Sequence, residues 1–183
     1  MGRRFDPERR DRIIDATIDC IADVGVAGTS HRKVADRAGV PLGSMTYHFT
    51  SMDELLVEAF TRFAATISAA FEDRMRSAAD ATAAIDEIVS LVHDDLQRSN
   101  REHVLTYELY TLAARRAEFR TITERWMLAS RAALEHHFPP ESARALDAFI
   151  EGAALHVALD GRPHGRALTE RALRALAAVP PAG

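Results

Sequence analysis

Residues 31–49 read His31-Arg-Lys-Val-Ala-Asp-Arg-Ala-Gly-Val-Pro-Leu-Gly-Ser-Met-Thr-Tyr-His-Phe49. Ala35 is small, Gly39 follows four residues later, and Val34, Ala38, Val40 and Met45 are apolar among polar neighbours. Two short helices that cross steeply need a small residue where they touch, and the turn between them favours a glycine able to take positive φ. Thr29 or Ser30 can cap the first helix, and Pro41 suits the first turn of the second, where its missing N–H has no helical partner. The stretch therefore predicts a helix-turn-helix, with residues 42–48 as its exposed second helix.

A short helix held this way can enter the major groove of DNA while the helix before it lies across the backbone. Thr29, Ser30, Arg32, Lys33, Tyr47 and His48 are candidate phosphate donors, and Leu42, Gly43, Ser44, Thr46 and Tyr47 offer small or flat groups to base edges and thymine methyls. Arg32, Lys33 and Arg37 against Asp36 give a local charge of +2 between residues 28 and 50, in a chain of net charge −4 and pI about 6.1. The N-terminal arm adds Arg3, Arg4, Arg9, Arg10 and Arg12 against Asp6, Glu8 and Asp11. No half of the chain is basic: residues 1–60 carry 8 basic and 10 acidic side chains, residues 61–183 carry 15 and 17. A DNA-facing surface must therefore be local, and Lys33, the only lysine of the chain, falls inside it.

Outward from this segment the pattern is helical. Ile13, Ile14, Thr17, Cys20, Ile21 and Val24 recur at three- and four-residue spacing after Pro7 and stop at Gly25. Ser51 and Glu54 have the spacing of a capping box, and Leu56, Ala59, Phe60, Phe63, Ile67 and Phe71 continue as a stripe about five turns long, a candidate connector between two parts of the protein. Further stripes run from Ile85 to Leu96, Leu105 to Leu112, Phe119 to Ala133 and Leu146 to Val157, with a last helix from about Gly165 to Val179. The breaks fall at Ser99-Asn100, Arg115 to Ala117, Pro139-Pro140 and Gly161-Arg-Pro163. No period-two alternation is long enough for a strand. The expectation is an all-α fold of about nine helices: a helix-turn-helix within residues 1–50, then a long fourth helix from Ser51 leading into a second helical part over 51–183.

The chain has 183 residues, 47% hydrophobic and 27% charged, which is an ordinary globular balance. A single cysteine, Cys20, excludes an intramolecular disulfide and a multi-cysteine zinc site. The charged N-terminus lacks an apolar stretch behind it, so no signal peptide is expected, and no apolar run approaches the roughly 20 residues that cross a bilayer. A cytoplasmic protein without a membrane partner is the resulting expectation.

Enzyme chemistry finds little support. No glutamate is followed by histidine three residues later, as a di-iron bundle requires. His136-His137 suit a helix C-terminus better than one metal, and His156 with Asp160 reads as a solvated or interfacial pair. Cys20 lies on or beside an apolar stripe, and no glycine-rich strand-turn-helix suggests a phosphate loop. No cofactor, metal or catalytic residue is therefore expected.

The segment resembles the TetR family of bacterial one-component transcriptional repressors. The residues that carry the resemblance are Thr29, Arg32, Val34-Ala35, Ala38-Gly39-Val40, Gly43-Ser44-Met45, Tyr47-His48-Phe49 and Ser51 to Leu55, within a match over about residues 8 to 60. Pro41 stands where the family usually has serine, Thr46 where tyrosine is frequent and Met52 where lysine is common. Those departures weaken two phosphate contacts and shift weight onto Arg32, Lys33 and the arginine arm.

The resemblance implies a three-helix DNA-binding domain over residues 1–50 joined to a helical effector-binding and dimerisation domain over 51–183, acting as a homodimer on a palindromic double-stranded DNA operator and released by a small-molecule effector. It places the dimer interface on the last two helices, with Leu146, Phe149, Ile150, Ala153, Val157, Leu168 and Leu176 as candidates. Candidate effector contacts are Phe63, His93, Tyr107, Tyr110 and Trp126, and a mostly apolar lining favours a hydrophobic or aromatic compound. The rival reading is a helical small-molecule-binding or scaffold protein whose helix-turn-helix is structural.

Overall fold

A computed structural model describes residues 8–95, 100–162 and 165–178. Nine α-helices and no strand occur among them: α1 (Arg9–Gly28), α2 (His31–Ala38), α3 (Gly43–His48), α4 (Met52–Ser77), α5 (Ala81–Ser90), α6 (Asn100–Ala113), α7 (Ala117–Leu134), α8 (Pro140–Leu159) and α9 (Arg166–Ala177). Pro7, Leu96, Ser99, Pro163 and Val179, used above to mark helix ends, lie outside the described residues. One element departs from the expected pattern. The stripe that starts at Ile85 leaves α-helical register after Ser90 and continues as a π turn, Leu91–Asp95.

The chain divides into two compact units, Met1–Ala64 with Val104–Ile122, and Ala65–His103 with Thr123–Gly183. These packing units do not coincide with a division at residue 50. The first takes in the start of α4, most of α6 and the start of α7, which lie far from the helix-turn-helix in sequence. Its fully buried side chains include Ile13, Ile14, Ile21, Val34, Met45, Leu55, Phe60, Leu105, Leu109 and Phe119. Phe60 and Phe119 meet edge to face with ring centroids 6.0 Å apart. Cys20 is buried among such residues, and burial pushes its thiol above the usual range, so it is not a poised nucleophile.

In the second unit Met75, Ile85, Ile88, Val89, Leu134, Phe138, Leu146 and Leu173 belong to one buried cluster. Burying each such side chain stabilises the fold by roughly 1.5–3 kcal/mol. An ion pair fixes α7 to α8 there: Arg131 Nε donates to the buried Asp147 carboxylate at 3.0 Å. His137, expected to serve its own helix end, instead has Nε2 2.7 Å from the Met75 carbonyl in the last turn of α4, while His136 Nε2 sits 2.8 Å from Glu72 Oε1. The chain turns back after Leu134 and presents both rings to the end of α4, His136 to a carboxylate and His137 to a carbonyl that also accepts the Ala78 N–H.

Candidate nucleic-acid interface

Helix α1 stops as its pattern demands. Gly25 has φ +70°, a conformation that excludes most side chains, and only a short turn continues to Gly28. Thr29 Oγ donates to the Gly25 carbonyl at 2.8 Å, and Ser30 is the residue that caps α2, its hydroxyl accepting from Lys33 N–H at 3.4 Å. At the other end of α2, Gly39 takes φ +65° and Val40 N–H bonds back to the Ala35 carbonyl at 3.0 Å, closing a Schellman turn. Nothing lies within 4 Å of where a Gly39 Cβ would stand, so the glycine is needed for its backbone angle alone.

Helix α3 is anchored by Met45 and followed by Phe49, both buried. Its opening turn is tight, with Ser44 N–H bonded to the Pro41 carbonyl at 2.8 Å and Met45 N–H to Leu42 at 3.0 Å. Pro41 therefore precedes α3 instead of sitting in its first turn, because its carbonyl is what the turn requires. Phe49 lies under the guanidinium of Arg10, 5.1 Å from ring centroid to Cζ. Glu54 completes the entry into α4: its N–H bonds to Ser51 Oγ at 3.1 Å, and its carboxylate accepts from Thr50 N–H and hydroxyl instead of from Ser51, closing the capping box one residue early. Those Thr50 bonds hold the Glu54 carboxyl below its usual range.

Around this frame, Leu42, Gly43, Thr46 and Tyr47 are exposed and share one short helix and its start. Tyr47 is 79% exposed and Leu42 54%, and no packing among the described residues covers either side chain. The Tyr47 ring meets His48 edge-on at 4.9 Å, and His48 is half-buried. Ser44 corrects an expectation: at 2% exposure it faces inward beside Met45, because residues 44, 45 and 49 form the inner face of so short a helix.

The basic residues separate in the same way. Lys33 Nζ donates to the Gly28 carbonyl at 2.8 Å, Arg37 pairs with Asp23, and Arg10 donates to Glu58 at 2.8 Å. Arg32 is exposed and makes no hydrogen bond or ion pair among the described residues. Arg3 and Arg4 lie outside the described residues.

Two family models match the chain. One, for bacterial regulatory proteins of the tetR family, spans residues 13–59, and the other, a tetracyclin repressor-like C-terminal domain, spans residues 79–179. The chain belongs to the TetR family. It is a helix-turn-helix transcriptional regulator, in agreement with the resemblance carried by residues 29–55.

Among similar proteins, the transcriptional regulator BetI of Klebsiella pneumoniae (strain 342) is 26% identical over 179 residues, covering 90% of this chain and 89% of its own. A transcriptional regulator of known structure from Streptomyces coelicolor A3(2) is 53% identical with a TM-score of 0.89, covering 94% of this chain and all of its own. The multidrug binding protein EbrR, in its complex with ethidium, is 35% identical with a TM-score of 0.79, over 94% of this chain and 100% of its own.

Of the candidate effector contacts, Phe63, Tyr107 and Tyr110 fall in the first unit of this TetR-family chain, and His93 and Trp126 in the second. Phe63 is buried and the other four are half-buried. His93, on the π turn, has Nε2 2.8 Å from the buried hydroxyl of Thr169 on α9. Among the candidate interface residues, Leu146 and Ala153 are buried within their own unit, and Phe149, Ile150 and Leu176 pack against its core. Leu146 and Ala153 of α8 thus face the inside of their own unit, while Phe149, Ile150 and Val157 are half-buried. The large apolar residues left exposed there are Leu155, Leu159 and, on α9, Leu168, at 42%, 68% and 50%.

His156 Nδ1 and Asp160 Oδ2, 3.8 Å apart, form an exposed pair. No group of three metal-ligating side chains occurs among the described residues, and no described helix is long and apolar enough to cross a membrane. Sequence reasoning missed Asp53, Glu108 and Arg116, three residues of the first unit whose contacts join segments distant in sequence.

Proposed function

We propose that this regulator is a cytoplasmic, non-enzymatic repressor that binds a palindromic operator as a homodimer and leaves it when a small molecule binds. Residues 1–50 form the DNA-binding part and 51–183 the effector and dimer part. The observation that carries the reading is the exposure of Tyr47 and Leu42 on a helix otherwise anchored by buried Met45 and Phe49. A side chain of tyrosine's size stands in water on a six-residue helix when its partner is absent from the monomer, and the major groove is the shape that such a helix fits.

In this reading Leu42, Gly43, Thr46 and Tyr47 meet bases, while Arg32, Thr29, Ser30 and His48 meet phosphates, with Lys33 holding the turn. One such helix spans few base pairs, so two related by a two-fold axis are needed, and Leu155, Leu159 and Leu168 supply apolar surface for pairing. The effector is a hydrophobic or aromatic compound: the candidate contacts are mostly aromatic, and structures of the EbrR relative hold the aromatic dyes ethidium, malachite green and proflavin.

Selection of duplexes from a random pool tests the reading. The protein should enrich an inverted repeat whose half-sites are separated by about one helical turn or a multiple of it. Malachite green should then lower its affinity for the selected duplex. Failure to enrich any sequence would leave the helix-turn-helix structural.

A further inference from the structure

The first compact unit contains a segment, Val104–Ile122, that comes from the middle of the chain. Two contacts attach it to the helix-turn-helix. On α6, Glu108 Oε1 stands 2.5 Å from where a Cβ on Gly25 would be, against the kink that ends α1. At the corner between α6 and α7, Arg116 Nη1 donates to Asp53 Oδ1 at 2.9 Å, in the first turn of α4.

The same guanidinium donates to Glu118 Oε1 from Nε at 2.9 Å and from Nη2 at 2.5 Å. It also lies over the Phe119 ring, 4.8 Å from the centroid, and Phe119 is the residue that meets Phe60 of α4. An exposed ion pair by itself does little. Here the guanidinium is held from two sides and on one face, so its position is defined and Asp53 is held with it.

Only Phe49, Thr50 and Ser51 separate the end of α3 from the start of α4. Whatever fixes the first turn of α4 fixes the exit of the recognition helix.

We propose that Arg116 is a positioning residue for DNA binding: through Asp53 it sets the first turn of α4, and with it α3. The proposal rests on the reading of α3 given above.

The test compares the affinities of Arg116→Ala, Asp53→Asn and the double variant for the duplex selected from the random pool. Arg76→Ala, which removes an exposed arginine paired within α4, is the control. If charge near DNA were all that mattered, loss of the arginine would weaken binding and loss of the aspartate would tighten it. Positioning makes both weaken it, each about five- to tenfold, with the double variant no worse than the poorer single one. Arg116→Lys keeps the pair with Asp53 without the fork onto Glu118, and should recover part of the loss.

Thermal unfolding and sedimentation confirm that each variant is folded and dimeric, and Asp53→Asn carries the comparison should Arg116→Ala not fold. Tighter or unchanged binding by Asp53→Asn, or additive losses, would overturn the proposal. A wild-type protein that selects no sequence would instead overturn the reading of α3.

Discussion

The ammonium of Lys33 is bonded to the carbonyl of Gly28, 2.8 Å away, across the turn that joins α1 to α2. The only lysine of the chain thus supplies a donor to a helix end that lacks one. Its neighbour Arg32 extends into solvent. The two adjacent cations, equivalent in sequence, hold different posts.

Their substitution should separate accordingly. With Arg32 on a phosphate, as proposed, Arg32→Ala should make the slope of log affinity against log salt shallower by about one, with thermal stability unchanged. Lys33→Ala should lower the unfolding midpoint by a few degrees, about 1 kcal/mol for a charged donor on a carbonyl, and change the salt slope less. Salt titrations of both variants with thermal scans check the pair. Equal slopes would place both residues on phosphates.

Ser44 gives a second expectation. Its hydroxyl oxygen is buried and has no hydrogen-bond partner among the described residues. Ser44→Ala should therefore keep DNA affinity within about twofold and leave stability unchanged or raised by up to about 1 kcal/mol. A tenfold loss of affinity would mean that the hydroxyl turns out to meet DNA.

Acid stability should depend on Arg116. Its hydrogen bond holds the Asp53 carboxyl below the usual carboxylate range, and at Glu118 the backbone N–H lowers the carboxyl first and the Arg116 hydrogen bond adds to it. A depressed folded-state pKa contributes stability that is complete above the unfolded value and is lost as pH falls through the folded one. The difference in unfolding midpoint between wild type and Arg116→Ala should thus be constant from pH 7 to about 5 and shrink on further acidification. A difference that persists unchanged to pH 2.5 would show that the two carboxylates are not involved.

Dimerisation should depend on the exposed leucines and not on the buried stripe of α8. Leu159→Glu and Leu168→Glu should raise the monomer fraction in sedimentation by at least about tenfold in dissociation constant while leaving the unit folded. Leu146→Ala should chiefly destabilise the protomer, by about 2–5 kcal/mol. Leucine-to-glutamate variants that remain fully dimeric would move the interface elsewhere.

Much of this was legible in the sequence because the determinants are local. Gly25, Ser30, Ala35, Gly39, Ser51 and the proline pair at 139–140 act within a turn of their own position, and each does so in the structure. Ser44 was misread since a helix of six residues has too few turns for periodicity to say which face is inward. The roles of Lys33 and His137 depended on where carbonyls of other helices end. The Arg116–Asp53 contact spans 63 residues, and no pattern in either neighbourhood signals it. Leu146 and Ala153 were interface candidates through the resemblance, and their burial within one unit was not legible because spacing identifies an apolar stripe but not what it packs against.

The most direct measurement is the affinity of wild type and Tyr47→Ala for the selected duplex and for a scrambled one, at two salt concentrations. Tyr47 is too exposed to matter for folding, so Tyr47→Ala should unfold at the wild-type temperature and yet lose most of the preference for the selected sequence, about 1–3 kcal/mol per half-site, while its weak salt-sensitive binding to scrambled DNA persists. A variant that discriminates as well as wild type would contradict the assignment of α3 as the helix that reads DNA.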